Sequence, residues 1–169
     1  AEVMRVQRVA EVPLATGGAP SAIDTGTSLR EGDQIRTGND SFFTLRFTDG
    51  SRLMVMANSQ LTLAKMVTYG KSGVMDTRTR LQSGQVETQV TPLKGPAARY
   101  EIITPVIAVG VRGTNFRVSA DATNVSRSEV VHGKVVIQGE GKPLPVPAGF
   151  GTLAEAKESD VDIRPQDIK

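Results

Sequence analysis

Cysteine is absent from the 169 residues, which excludes disulfide staples, thiolate metal sites and a cysteine nucleophile together. Tryptophan is absent as well and tyrosine occurs only twice, so a stacking platform for sugars or single-stranded nucleic acid is poorly supplied. The sole histidine, His132, falls in a predicted turn with no serine or aspartate motif around it, so the sequence offers no catalytic base and no ligand cluster for a metal. The glycines of the run from Gly133 to Gly141 precede no helix and make no phosphate loop. No cofactor is therefore expected. Nowhere do 18 apolar residues run without a charge, and no basic-plus-apolar leader is present. Insertion of this fragment into a membrane is not expected, and a first residue of Ala rather than Met suggests a processed chain or a piece of a longer one. A net charge of +2 makes nucleic acid an unsuitable partner.

What is abundant is turn chemistry. Seventeen glycines and nine prolines punctuate short stretches of alternating apolar and polar residues, a pattern that suits many short strands better than long helices. The length fits one domain. An all-β fold of two packed sheets, a sandwich or jelly-roll-like roll, is expected over residues 1–152, with a short β-solenoid as the other architecture. Residues 153–169 read as an acidic tail or interdomain linker. Charge is unevenly spread: between Phe42 and Arg117 lysine and arginine outnumber acids ten to four, whereas from Phe150 onward acids lead five to three. A solvated surface explains this distribution, and so does a basic face turned to an anionic envelope polymer or an acidic partner.

The hairpin from Ser41 to Ala57 turns at Asp49-Gly50, and its register can be decided from the apolar pattern. A two-residue loop would pair Phe47 with Arg52 and scatter the apolar residues over both faces. A three-residue loop, Thr48-Asp49-Gly50, pairs Leu45 with Leu53. It gathers Phe43, Leu45, Phe47, Leu53 and Val55 on one face and leaves Arg46, Arg52, Met54 and Met56 on the other. A one-residue slip reverses every side chain, so the cleaner split predicts a type I turn with Gly50 left-handed in a bulge. The outer set Arg46, Arg52, Met54 and Met56 is either edge coverage or an adaptable protein-contact surface. Asp33, after Gly32, is suited to capping backbone N–H groups in its turn. Ala15–Ser28 reads as a surface loop, Val74–Leu81 as a polar edge strand guarded by Arg78 and Arg80, and Gly84–Val90 as a separate strand.

The most apolar stretch runs from Tyr100 to Val118. It is broken at Thr104-Pro105 and again at Gly110-Val111-Arg112-Gly113-Thr114, then resumes alternation through Phe116. Arg112 is its one charge between Glu101 and Arg117. Burial of a guanidinium demands acceptors, so Arg112 is expected to be mostly buried on backbone carbonyls and on Asp33, Asp49 or Glu129. The other reading makes it an exposed partner contact.

This stretch, TPVIAVGVRGTNFRV, resembles the landmark of the FecR-type periplasmic domain. LREGDQIRTG (Leu29–Gly38), SFFTLRFTDGSRLMVMANSQLTL (Ser41–Leu63), LQSGQVETQV (Leu81–Val90) and EVVHGKVVI with VPAGFG are similar to other pieces of that family's pattern, in the same order. The resemblance implies structural signature positions at Gly32, Asp33, Asp49, Gly50, Thr104, Pro105, Arg112, Gly113, Thr114 and Phe116. It also implies a non-enzymatic module of the Gram-negative periplasm that transmits or scaffolds a signal through an envelope protein partner, as in FecR-type regulators of sigma factors. The alternative is a peptidoglycan-associated binding module of the kind found beside LysM domains. A hydrolase built from Asp49, Glu87, Glu101 and Glu129 is the remote third reading.

Overall fold

The computed structural model describes residues 1–7, 10–12, 21–72, 74–95, 97–139, 142–157 and 160–167. Its regular structure is β throughout, apart from one 3-10 turn at Gly70–Ser72. The strands are β1 (Glu2–Gln7), β2 (Ala10–Val12), β3 (Ser21–Ala22), β4 (Gln34–Thr37), β5 (Phe42–Arg46), β6 (Arg52–Val55), β7 (Gln60–Tyr69) and β8 (Val74–Gln89). They continue with β9 (Arg99–Ile103), β10 (Ala108–Val111), β11 (Asn115–Ala120), β12 (Val125–His132), β13 (Lys134–Gln138), β14 (Leu144–Pro147), β15 (Phe150–Lys157) and β16 (Asp160–Asp167).

Two sheets share β8. Sheet I runs β1-β5-β6-β8-β11-β12-β15-β16, and sheet II runs β3-β2-β4-β7-β8-β9-β10-β13-β14. Among the described residues every strand pairing is antiparallel except β8 with β9, which is unlike the stacked parallel coils of a β-solenoid. The sequence leads one to expect two strands where β8 runs as one of 16 residues. Its first part, through Ser83, pairs with β7 and β9, and its last part, from Gly84, pairs with β6 and β11. Its inward residues are Thr77, Thr79 and Leu81 before the join and Val86 and Thr88 after it, so the facing parity changes from odd to even. Gly84 absorbs that change at φ 98°. A Cβ there would meet the backbone of Ser59 at 2.4 Å, so only glycine fits. The Ser59 hydroxyl accepts the Gln85 N–H at 3.0 Å and locks the bend.

The expected edge placement of Val74–Leu81 is therefore corrected: this part of β8 is paired on both sides. Its arginines serve the solvent face rather than an edge, with Arg78 held by Asp76 and Glu101 at 3.3 and 3.4 Å. The expected tail is corrected in the same way. β15 runs across residues 152 and 153, Ala154 is fully buried, and β16 pairs with β15 along its whole length. The alternation Asp160-Val161-Asp162-Ile163 is the short strand pattern behind this, and Ile163 packs against the core. Of the expected Ala15–Ser28 loop, residues 15–20 lie outside the described residues. Ser21–Ala22 is a short strand, and Ile23 is buried.

The hairpin has the register its apolar split predicts. Leu45 faces Leu53 and Phe43 faces Val55. Phe47 donates its N–H to the Ser51 carbonyl at 2.9 Å, and Gly50 is left-handed at φ 86°. Phe43, Leu45, Leu53 and Val55 are fully buried between the sheets. Leu61, Ile102, Val109, Phe116, Val130 and Ile137 join them in one continuous core. The Pro145 and Pro147 strand, β14, sits at the edge of sheet II, where a missing backbone donor costs least.

Candidate functional site

The outer face of sheet I is built by the alternation of its strands. One row across it reads Thr44, Met54, Glu87, Arg117 and Glu129 on β5, β6, β8, β11 and β12, each the register partner of the next. The neighbouring row reads Glu2, Arg46, Arg52, Gln89, Asn115 and His132. Between the two rows Met54, Arg52, Glu87 and Asn115 line an open depression of about 500 Å³. Most of the charge on this face is internally compensated: Arg46 pairs with Glu2 at 2.9 Å, and Arg117 bridges Glu87 and Glu129 at 3.0 and 3.7 Å. Arg52 is exposed and has no ion pair among the described residues. Met54 and Met56 are half-buried on this outer side, away from Phe43. The depression thus combines an adaptable thioether floor with one uncompensated cation, a surface suited to an apolar and acidic contact. The four outer residues of the hairpin are legible in the sequence. Glu87 and Asn115 are supplied by β8 and β11, and nothing local in the sequence marks them as neighbours of Met54.

The landmark stretch does structural work at the corners where the chain changes sheets. Thr104 is a buried hub. Its hydroxyl accepts the Val106 and Ile107 N–H groups at 3.2 and 3.0 Å and the Ser126 hydroxyl at 2.8 Å, closing the turn in which Pro105 is exposed. Between β10 in sheet II and β11 in sheet I the chain turns at Gly113, which has φ 118°. A Cβ on Gly113 would meet the Pro92 Cα at 2.7 Å, and one on Gly133 would meet Thr114 at 2.8 Å. Pro92, Gly113 and Gly133 belong to three separate crossings between the sheets, so at this corner Gly113 lies against the Pro92 backbone and Gly133 against the Thr114 side chain. Thr114 is buried and Phe116 fully so. Gly32 is left-handed and donates its N–H to the Leu63 carbonyl at 2.8 Å, and Asp33 accepts the Arg30 N–H at 2.8 Å. Asp49 accepts both the N–H and the hydroxyl of Ser51 at 2.9 and 2.8 Å.

Arg112 corrects the expectation of burial: it is exposed. It lies at the corner just past β10, where the side chain following inward Val111 faces out. The carboxylates expected to hold it have other duties, Asp33 and Asp49 in their own turns and Glu129 on Arg117. On the outer face of sheet II, Arg112 joins Arg99, Lys134, Glu101, Gly110 and Val136 around a second open depression, of about 380 Å³. Nearby, Asp76 is buried and accepts from Lys65 at 2.6 Å and Arg78 at 3.3 Å. Burial alone would raise its carboxyl pKa, but the Lys65 hydrogen bond and the charge of Arg78 outweigh it and hold the group below the ordinary value. Tyr100, fully buried edge-on to Phe47, has its phenol pushed up by burial and by the charge of Asp49.

His132 is exposed at the end of β12. Among the described residues no three His, Cys, Asp or Glu side chains group as metal ligands, and no helix is long and apolar enough to cross a membrane.

Residues 33–136 match the sequence model of a family described as FecR protein. The fold is similar to that of two crystal structures of a proposed anti-sigma factor from Parabacteroides distasonis ATCC 8503, with TM-scores of 0.61 and 0.62 and 14% sequence identity. Each likeness covers 79% of this chain and 60% of the other. At that identity the likeness is one of fold. No curated protein matches the chain.

Proposed function

The chain belongs to the FecR family, and from that membership we propose that it is a non-enzymatic extracytoplasmic module that transmits or scaffolds a signal through protein contacts, as FecR-type regulators of sigma factors do. The observation that carries this reading is the outer face of sheet I. Its charges are mostly paired within the face, yet at its centre Met54 and the uncompensated Arg52 border an open depression. A partner offering an apolar side chain and a carboxylate would bury the thioether and pair the guanidinium, which is the combination found at the centres of protein interfaces. The β scaffold brings Thr44, Met54, Glu87 and Asn115 to the depression from four different strands, so the contact would be made by a preformed surface. The proposed setting is the periplasm of a Gram-negative cell, and the partner an envelope protein.

The test is complementation in the source organism. Cells deleted for the full-length gene receive either the wild type or an Arg52→Glu, Met54→Glu double variant, and their transcript profiles are compared. Both side chains lie on the outer face of sheet I, Arg52 exposed and Met54 half-buried outside the core, so the double variant should keep the fold while failing to restore the profile. Full restoration by the double variant would overturn the reading. So would salt-sensitive co-sedimentation of the purified chain with cell-wall sacculi that the same substitutions abolish, which would assign the face to peptidoglycan.

A further inference from the structure

The second depression, on the opposite sheet, is independent of the face just described. On β9, β10 and β13 the registers Tyr100–Val111–Val135 and Glu101–Gly110–Val136 are fixed by backbone pairing. Continuing that register by one residue aligns Arg99, Arg112 and Lys134, three cations on neighbouring chain segments about 4.8 Å apart. All three are exposed and line the same depression. Arg99 and Lys134 have no ion pair among the described residues. Glu101, the one carboxylate among the described residues that line the depression, is held by Arg78 at 3.4 Å, so Arg99 and Lys134 leave the rim with a surplus of positive charge. Its floor is a notch: Gly110 presents no side chain between Glu101 and Val136, and Val136 is 42% exposed beside it.

We propose that this notch is a docking site for an acidic extended peptide segment of a partner protein. Charge complementarity calls for carboxylates over Arg99 and Lys134. The exposed valine beside an empty glycine position calls for an apolar side chain between them, which a phosphate or glycan polymer does not carry. A segment alternating acidic and apolar residues meets both demands, because its side chains point alternately to two sides. Gly110 has an ordinary extended backbone. A Cβ added there meets nothing nearer than the Val136 carbonyl at 3.7 Å, so a larger residue can fill the notch without disturbing the fold.

Fluorescence anisotropy with the complete chain tests the proposal, using three labelled heptapeptides that alternate valine with aspartate, serine or lysine. The aspartate peptide should bind about tenfold or more tightly than the serine peptide at low salt and weaken as salt is added. Arg99→Glu and Lys134→Glu should each weaken it by at least about threefold, while Arg80→Glu, on an exposed position outside the depression, should not. Gly110→Val should abolish binding with an unchanged melting temperature. Equal binding of the aspartate and serine peptides, or full binding by Gly110→Val, would overturn the proposal. Tight binding of sodium polyphosphate that Val136→Ser and Gly110→Val leave untouched would overturn it in favour of an anionic polymer.

Discussion

Single residues set the corners of this molecule, and two left-handed glycines separate conformational from steric demand. Gly50 is left-handed with only ordinary contact to Thr91 at 3.5 Å, whereas Gly113 is left-handed and would drive a Cβ into the Pro92 backbone. Gly50→Ala should cost about 1–2 kcal/mol, the left-handed penalty alone. Gly113→Ala adds overpacking and should cost on the order of 2–5 kcal/mol, a difference that urea unfolding of the two variants would resolve. Asp76 carries a pH prediction. Its folded carboxyl is held below the ordinary range by Lys65 and Arg78 against the opposing effect of burial. A depressed carboxylate contributes stability that is present above the unfolded value near pH 4 and is lost as pH falls through the folded value. Asp76→Asn should therefore destabilise the protein at pH 7 by about 1–3 kcal/mol. The gap to wild type should narrow as pH falls through the folded value, as read from melting temperatures across pH.

At the scale of elements, the hairpin of β5 and β6 was fully legible because both of its determinants are local. Asp49-Gly50 specifies the turn, and five apolar residues share a face in one register only. β8 was not legible as one strand, because its bend is set by Ser59, which lies 25 positions before Gly84 in sequence. The polar run Gln82-Ser83-Gly84 looks like a loop until Ser59 and the β6 and β11 partners are in place. β16 was missed for a related reason: its acidic composition masks a two-residue alternation whose apolar half packs on the core through Ile163. The bend makes its own prediction. Gly84→Ala places a Cβ on Ser59 backbone at a left-handed position, so it should cost at least as much as Gly113→Ala. Since β8 is the one strand common to both sheets, unfolding should remain a single transition, with hydrogen exchange accelerated in both sheets rather than one.

At the scale of the molecule, family membership was readable from five motifs in order, and signature positions such as Gly32, Asp33, Thr104, Gly113 and Thr114 hold turns and sheet crossings. Arg112 was misread because a charge inside an apolar run suggests burial, while a corner between sheets turns it outward. The candidate contact surface was half legible: Arg46, Arg52, Met54 and Met56 follow from the hairpin's register, but Glu87, Asn115 and the ion-pair ladder through Arg117 depend on pairings between strands distant in sequence. The central claim is that this outer face meets a protein. Site-specific photo-crosslinking tests it most directly, with a benzophenone amino acid placed at Arg52 in the full-length protein in its own cells and a control at exposed Arg30. The account predicts a discrete, protease-sensitive crosslinked band from position 52 and none from position 30. Crosslinks from position 52 to lysozyme-sensitive wall material alone, or equal bands from both positions, would contradict it.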